Sequence, residues 1–298
     1  MSDAPPAIVE GWYERAASAP ARVVLADLGD PRADAAADRL RTEGLAVVVE
    51  PVVDPADPAM VAAVARAAAA GLNPGDPVVA AAVLIASGGA DAGVAGATRP
   101  TAEVVRAGLA ILGVGDGEGL VSSCFILILP DGRPIAYGDC GVVPEPNVEQ
   151  LVAIARATAA TFECLTTESA RVALLSFSTR GSATHPRVEK VRRAAEYLAD
   201  TFPDLASDGE LQFDAAWLPE VAKVKAPGSA VAGRANVFVF PDLDSGNIAY
   251  KITERLGGAR AYGPLLQGLD GVLHDLSRGA SSDDIVDVAV IAGLMARD

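Results

Sequence analysis

"RVVLADLGDPRADAAADRLRTEG", residues 22–44, carries the pattern from which the fold is read: a short, β-branched, nearly continuous apolar run followed by a helical pattern. A run of that kind suits a strand buried on both faces. Further strand-like runs are "LAVVVEPVV" from Leu45, "FILILP" from Phe125, "RVALLSFS" from Arg171 and "NVFVFPDL" from Asn236. Helical patterns lie between them, namely "MVAAVARAAAAGLNPGDP" from Met60, "TAEVVRAGLAILG" from Thr101, "NVEQLVAIARATAATFECL" from Asn147 and "HPRVEKVRRAAEYLADTF" from His185. Strands alternating with helices predict an α/β protein with mainly parallel sheets. With 298 residues, 51% of them hydrophobic, the chain has material for two domains. Two turns, "PDGRPIAYGD" from Pro130 and "YGPLLQGLD" from Tyr262, are read as the crossings. They predict a discontinuous domain of residues 1–128 plus 267–298 and a second domain of 129–266, with the apolar C-terminal helix buried on the first core. "GVGDGEG" from Gly113 is read as a flexible connection.

The longest apolar stretch, "PVVAAAVLIA" from Pro77, is shorter than the roughly 18 residues a spanning helix needs. The N-terminal "MSDAPPAIVEGWYERAA" lacks a basic segment followed by an apolar one, so a cytoplasmic location is expected. A formal net charge of -15 opposes broad contact with nucleic acid or an anionic bilayer. It leaves room for a small anion, because a few arginines in a cleft can reverse the local field. Arginine supplies 20 of the 24 basic residues, a bias read as codon usage rather than as phosphate recognition. Cys124, Cys140 and Cys164 are too few and too irregular for a disulfide framework or a thiolate metal site, and read as reduced core residues. His185 and His274 alone cannot build a histidine-rich metal site, and a Ser/His/Asp triad has little to draw on.

Chemistry therefore rests on other side chains, and "HDLSRGASSDDIV", residues 274–286, concentrates them. Ser281 with Asp284 three residues later fits a capping box ahead of an apolar helix, and structure alone could account for both. That reading leaves "LSRG" unexplained. Ser277 and Arg278 fall in a short loop at a helix N-terminus, where free amides, the dipole and a guanidinium can jointly hold an anion. A carboxylate one turn away can take a proton. "STRGSA" from Ser178, "KAPGSAVAGRAN" from Lys225 and "DLDSGNIAYK" from Asp242 are small polar loops near apolar runs, where α/β folds bind ligands, but each taken singly reads better as an ordinary turn. No G-x-x-x-x-G-K-[ST] occurs, and no G-x-G-x-x-G follows a first strand.

Taken together these stretches resemble the phosphate acetyl/butyryl transferase family. The resemblance runs from "GGADAGVAGATRPTAEVVRAGLAIL" through "RVALLSFSTRGSA", "DGELQFDAAWLPEVAKVKAPGSAVAGRANVFVFPDLDSGNIAYK" and "GPLLQGL" to "HDLSRGASSDDIVDVAVI", and residues 22 to about 44 look like the family's opening strand and helix. It implies two α/β domains around an interdomain cleft, an architecture like that of isocitrate and isopropylmalate dehydrogenases, usually as a homodimer. It also implies reversible transfer of an acetyl group between CoA and inorganic phosphate, with CoA as substrate and no cofactor or metal. By the same resemblance Ser277, Arg278 and Asp284 are the central catalytic residues, Arg106 is a further site arginine, and Thr101 stands where a substrate-contacting serine is found. The sequence departs from the family in three places: Ala280 replaces a frequent cysteine, His274 replaces an asparagine, and residues 53–76 are shortened, leaving Arg66 as the candidate for another substrate-binding arginine.

Three alternatives stay open at this point. A butyryl or propionyl transferase differs by methylenes in an acyl pocket whose residues the sequence does not identify. A dehydrogenase of the same architecture would need clustered acids for a divalent metal and a nicotinamide site, and neither is visible. A non-catalytic CoA-binding or regulatory protein fits the shortened region, but not the retention of Ser277, Arg278 and Asp284.

Overall fold

The computed structural model describes residues 6–117 and 119–297. Residues 1–5 of the segment read for a leader, Glu118 in the Gly113–Gly119 connection, and Asp298 lie outside the described residues. The chain forms two units, Met1–Val121 with Tyr262–Asp298, and Ser122–Ala261.

The first unit begins with α1 (Ala7–Ser18), β1 (Ala21–Leu25), α2 (Pro31–Thr42), β2 (Ala46–Val49), α3 (Val61–Ala69), α4 (Pro77–Ala86), β3 (Ala92–Ala95) and α5 (Thr101–Ile111). The strand-to-helix step in residues 22–44 has a local cause. The Asp30 side chain accepts from the Arg32 amide at 2.9 Å, and Pro31, which has no amide to leave unpaired, takes the first helical position. α4 repeats the device with Asp76 and Pro77. In the second unit come β4 (Ser122–Ile128), β5 (Pro134–Gly138), α6 (Val148–Thr166), β6 (Val172–Leu175), α7 (Pro186–Thr201), β7 (Ser207–Leu211), α8 (Phe213–Trp217), α9 (Pro219–Lys225), β8 (Val237–Val239) and α10 (Leu243–Arg255). β9 (Arg260–Gln267) carries the chain back, and β10 (Val272–Asp275) and α11 (Ser282–Met295) complete the first unit.

The sheet of the first unit runs β10-β3-β1-β2, with each pairing parallel. α4 and α11 pack on it through nearly uninterrupted buried runs, Val78–Leu84 in one and Ile285–Val286 with Val288–Leu294 in the other. The C-terminal helix thus lies on this core. β2 departs from the expected two-sided burial: it is the sheet's edge, and Val47 is 54% exposed. The Gly113 connection departs too. Val114 bridges Leu269, and the Gly115 amide donates to the Gly268 carbonyl at 2.9 Å, so backbone pairing ties the segment down.

The second unit orders its strands β7-β6-β8-β5-β4. "FILILP" is antiparallel, not parallel: β4 and β5 form a hairpin in register from Cys124 opposite Gly138 to Ile128 opposite Pro134. The turn "PDGR" inside "PDGRPIAYGD" therefore joins two strands of one unit. The crossings fall at 121/122 and 261/262, earlier than the turns implied, and the first does so because β4 cannot be separated from the strand it pairs with. "DLDSGNIAYK" is not a loop. Asp242 accepts from the Ser245 amide at 2.9 Å and caps α10, so its polar residues form a helix start. Phe125, Leu127, Tyr137, Phe238 and Phe240 build the core here, with Phe125 stacked on Tyr250 at 4.0 Å. None of the three cysteines forms a disulfide, and Cys124 and Cys140 are buried and Cys164 partly so. No helix among the described residues is long and apolar enough to cross a membrane.

Candidate active site

Strand register sets Asp275 at the end of β10 beside Ala95 at the end of β3, and Leu25 of β1 beside Val94. The segments 26–30, 96–100 and 276–281 consequently leave the sheet along one edge. β1 lies between β2 and β3, so successive connections diverge here, and the carboxyl ends of strands at such a point are where α/β sheets take ligands.

Behind β10, Leu276 is buried, Ser277, Arg278 and Gly279 are exposed, and Ala280 is buried again. The turn closes on itself. The Ala280 amide donates to the Ser277 carbonyl at 2.9 Å, and the Gly279 amide to Ser277 Oγ at 3.2 Å. α11 then starts with the capping box read from the sequence: Ser281 Oγ accepts from the Asp284 amide at 3.2 Å, while Asp284 Oδ2 accepts from the Ser281 amide at 2.8 Å and its hydroxyl at 2.9 Å. Asp284 is exposed, and its Oδ1 takes no hydrogen bond among the described residues. Asp283 accepts from Arg39 Nη1 at 2.8 Å.

The loop after β3 is pinned from below by two buried acids. Asp27 accepts from the amides of Ala97 and Thr98, both at 3.0 Å, and from the Thr98 hydroxyl. Asp275 Oδ2 accepts from the Thr101 hydroxyl at 2.5 Å. Gly96, at φ +107°, sits so close that a Cβ would overlap Asp275 Oδ1. Burial pushes the Asp275 carboxyl up to about 6, against the pull of the Thr101 hydroxyl and the Leu276 amide, with the Asp27 charge adding to the rise. Its neighbour His274 is wholly buried with neither ring nitrogen hydrogen-bonded, and burial pushes its imidazole down to about 3.

The structure thus brings Ser277, Arg278 and Asp284 onto one turn and its helix, with Thr101 tied to the same strand end through Asp275. Arg106 and Arg66 lie along the α3–α5 contact instead. Arg106 Nη2 donates to the Ala70 carbonyl at 3.2 Å, and Arg66 Nε to the Ile111 carbonyl at 2.7 Å. At 1.5 Å per residue, Ile111 is about 15 Å along α5 from Thr101, so Arg66 stands apart from the cluster. Sequence reasoning passed over Asp27, Asp275 and Arg32. The signal for the two acids was a carboxylate at or just past the end of a buried strand run. Among the described residues no group of three or more His, Cys, Asp or Glu is placed to hold a metal ion. An exposed hydroxyl, an exposed guanidinium and a carboxylate with one open oxygen, all at the N-terminal end of a 14-residue helix, can hold an anion and accept a proton beside it.

Residues 58–293 match the family described as phosphate acetyl/butaryl transferase. A phosphate acetyltransferase of Paracoccus denitrificans is 40% identical over 311 aligned positions, covering 96% of this chain and 98% of that one. One from Acetivibrio thermocellus is 48% identical over 227, covering 74% and 68%. The crystal structure of a phosphotransacetylase from Streptococcus pyogenes superposes with a TM-score of 0.91 at 36% identity, covering 100% of this chain and 99% of that one.

Proposed function

The chain belongs to the phosphate acetyl/butaryl transferase family, and from that premise we propose that it is a phosphate acetyltransferase, exchanging an acetyl group between CoA and inorganic phosphate. The observation that carries the reading is the placement of Ser277, Arg278 and Asp284 on one turn and its helix start, at the carboxyl edge of the sheet.

A CoA thiol near pKa 8.5 is mostly protonated at neutral pH, so its attack on the carbonyl of acetyl phosphate needs a base. Asp284 Oδ1 takes that proton while Oδ2 stays in the capping box, so each oxygen has its own task. The thiolate sulfur bonds to the acetyl carbon, and the carbonyl oxygen gains the charge. Ser277 Oγ donates to that oxygen, and the Arg278 guanidinium holds the phosphoryl oxygens. When the tetrahedral species collapses, the carbon–oxygen bond to phosphate breaks, phosphate leaves with the electron pair, and the proton on Asp284 returns to solvent or to phosphate. No acyl-enzyme forms. Both substrates are held together, and orientation supplies much of the acceleration. Thr101, locked by Asp275, borders the same turn and contacts substrate, and Arg106 adds positive charge from α5. The reaction needs neither metal nor nicotinamide. The protein works in the cytoplasm as a homodimer, and nucleic acid and membrane play no part.

The test is thioester formation from CoA with acetyl, propionyl and butyryl phosphate, using protein pretreated with a chelator. Acetyl-CoA is expected to form fastest and to survive chelation. Absence of thioester from all three substrates, or activity lost on chelation and restored by a metal, overturns the reading.

A further inference from the structure

Arg32 donates every hydrogen bond that a guanidinium has. Nε and Nη2 grip the two Asp30 carboxylate oxygens at 2.9 and 3.0 Å, Nη2 also reaches the Ala97 carbonyl at 2.9 Å, and Nη1 reaches the carbonyls of Arg278 at 3.0 Å and Ala280 at 2.8 Å. These are five donors to five acceptors, and only an arginine has five N–H groups in a planar fork. The acceptors belong to three chain segments, each following a different strand: Asp30 after β1, Ala97 after β3, and Arg278 with Ala280 after β10. The turn that bears Ser277 and Arg278 is anchored at its two ends, by buried Leu276 and by buried Ala280 ahead of α11, and is open between them. Three of its residues in a row are exposed, and its internal bonds set its shape rather than its position.

We infer that Arg32, oriented by Asp30, is a positioning residue for the reaction. It clamps the backbone of the Ser277–Ala280 turn to the loop that carries Ala97 and Thr98 and leads into Thr101, and so fixes the Ser277 hydroxyl and the Arg278 guanidinium over the reacting group. This rests on the catalytic roles given above to Ser277 and Arg278. The link is mechanical: without Nη1 two neighbouring carbonyls lose their holder, and displacement of catalytic groups by about 1 Å can cost on the order of 10²-fold in rate.

Arg32→Ala is expected to fold, to keep its KM for CoA, and to lose roughly 10²-fold in kcat. Added guanidinium chloride should restore part of that loss saturably, where sodium chloride at equal ionic strength does not. Arg32→Lys should stay slow, because an ammonium cannot fork between Asp30 and three carbonyls. A second readout needs no turnover. Trypsin cutting after Arg278, identified by mass, should become roughly tenfold faster in Arg32→Ala, since the carbonyl that trypsin must reach has lost its holder. Should Arg32→Ala fail to fold, Asp30→Asn keeps the α2 cap while removing the carboxylate, and the same two effects are expected in weaker form. A wild-type protein that forms no thioester defeats the proposed activity, and the clamp is then judged by cleavage after Arg278. Unchanged cleavage, wild-type kcat in a folded Arg32→Ala, or a kcat loss that guanidinium does not relieve overturns the clamp.

Discussion

His274 and Asp275 are adjacent and buried, and their titrations oppose each other. The buried imidazole sits near 3, against about 6.5 in the unfolded chain. Between those values the folded state binds fewer protons, so this residue's contribution to stability is present above pH 6.5 and is lost as the pH falls towards 3. Asp275 and Asp287 run the other way. Burial lifts both to about 6 in the fold, above the ordinary 3.8, so between pH 3.8 and 6 the folded state binds the more protons and acidification favours it. Because neither His274 nitrogen has a partner, His274→Leu removes the imidazole's titration without breaking a hydrogen bond. Urea unfolding at pH 7 and pH 5 should show the variant losing about 2 kcal/mol less than wild type on acidification, or gaining where wild type loses. An identical pH change in both proteins contradicts the assignment.

At the scale of the element, the start of α11 combines a structural and a chemical demand on one side chain. Asp284→Asn keeps the shape and part of the cap but removes the base, so the melting temperature should change little while kcat falls by roughly 10²- to 10⁴-fold. Ser281→Ala removes the other half of the box. It should cost about 0.5 to 2 kcal/mol of stability with little effect on kcat. Near wild-type turnover in Asp284→Asn with a lowered melting temperature would make the aspartate a cap alone. The box could be read in advance because its partners are three residues apart. β3, "AGVA", could not: its alanines and glycine carry no β-branched run, and it is a strand because it lies between β1 and β10. Gly93 is needed there because Ile85, Val24 and Leu273 all come within about 3 Å of where a Cβ would stand.

For the whole molecule, the homodimer is the expectation most open to a direct test. α10 turns Ile248 and Ile252 outward, with Leu256 just past its end exposed as well, four residues apart and therefore on one face, where a solvated helix would carry polar groups. Light scattering at micromolar concentration should give about twice the 30.3 kDa of one chain. A monomer mass across the micromolar range overturns the dimer. The charge of -15 makes the local arginines matter, since a phosphoryl group approaching so acidic a protein meets attraction only where guanidinium groups outweigh it.

Local sequence was enough to establish an α/β chain, from its alternating apolar runs and helical patterns, and the capping box that opens α11 beside Ser277 and Arg278, because each depends on residues a few positions apart. The antiparallel β4–β5 hairpin, the exposed edge at β2 and the places where the chain changes unit were decided by pairing partners far along the chain. The same holds around the site. Asp275 meets Thr101 across 174 positions, and Arg32 meets Arg278 and Ala280 across 246 and 248. No local pattern encodes such contacts. They exist because parallel strands place their carboxyl ends side by side, so residues remote in sequence become neighbours at one edge of the sheet.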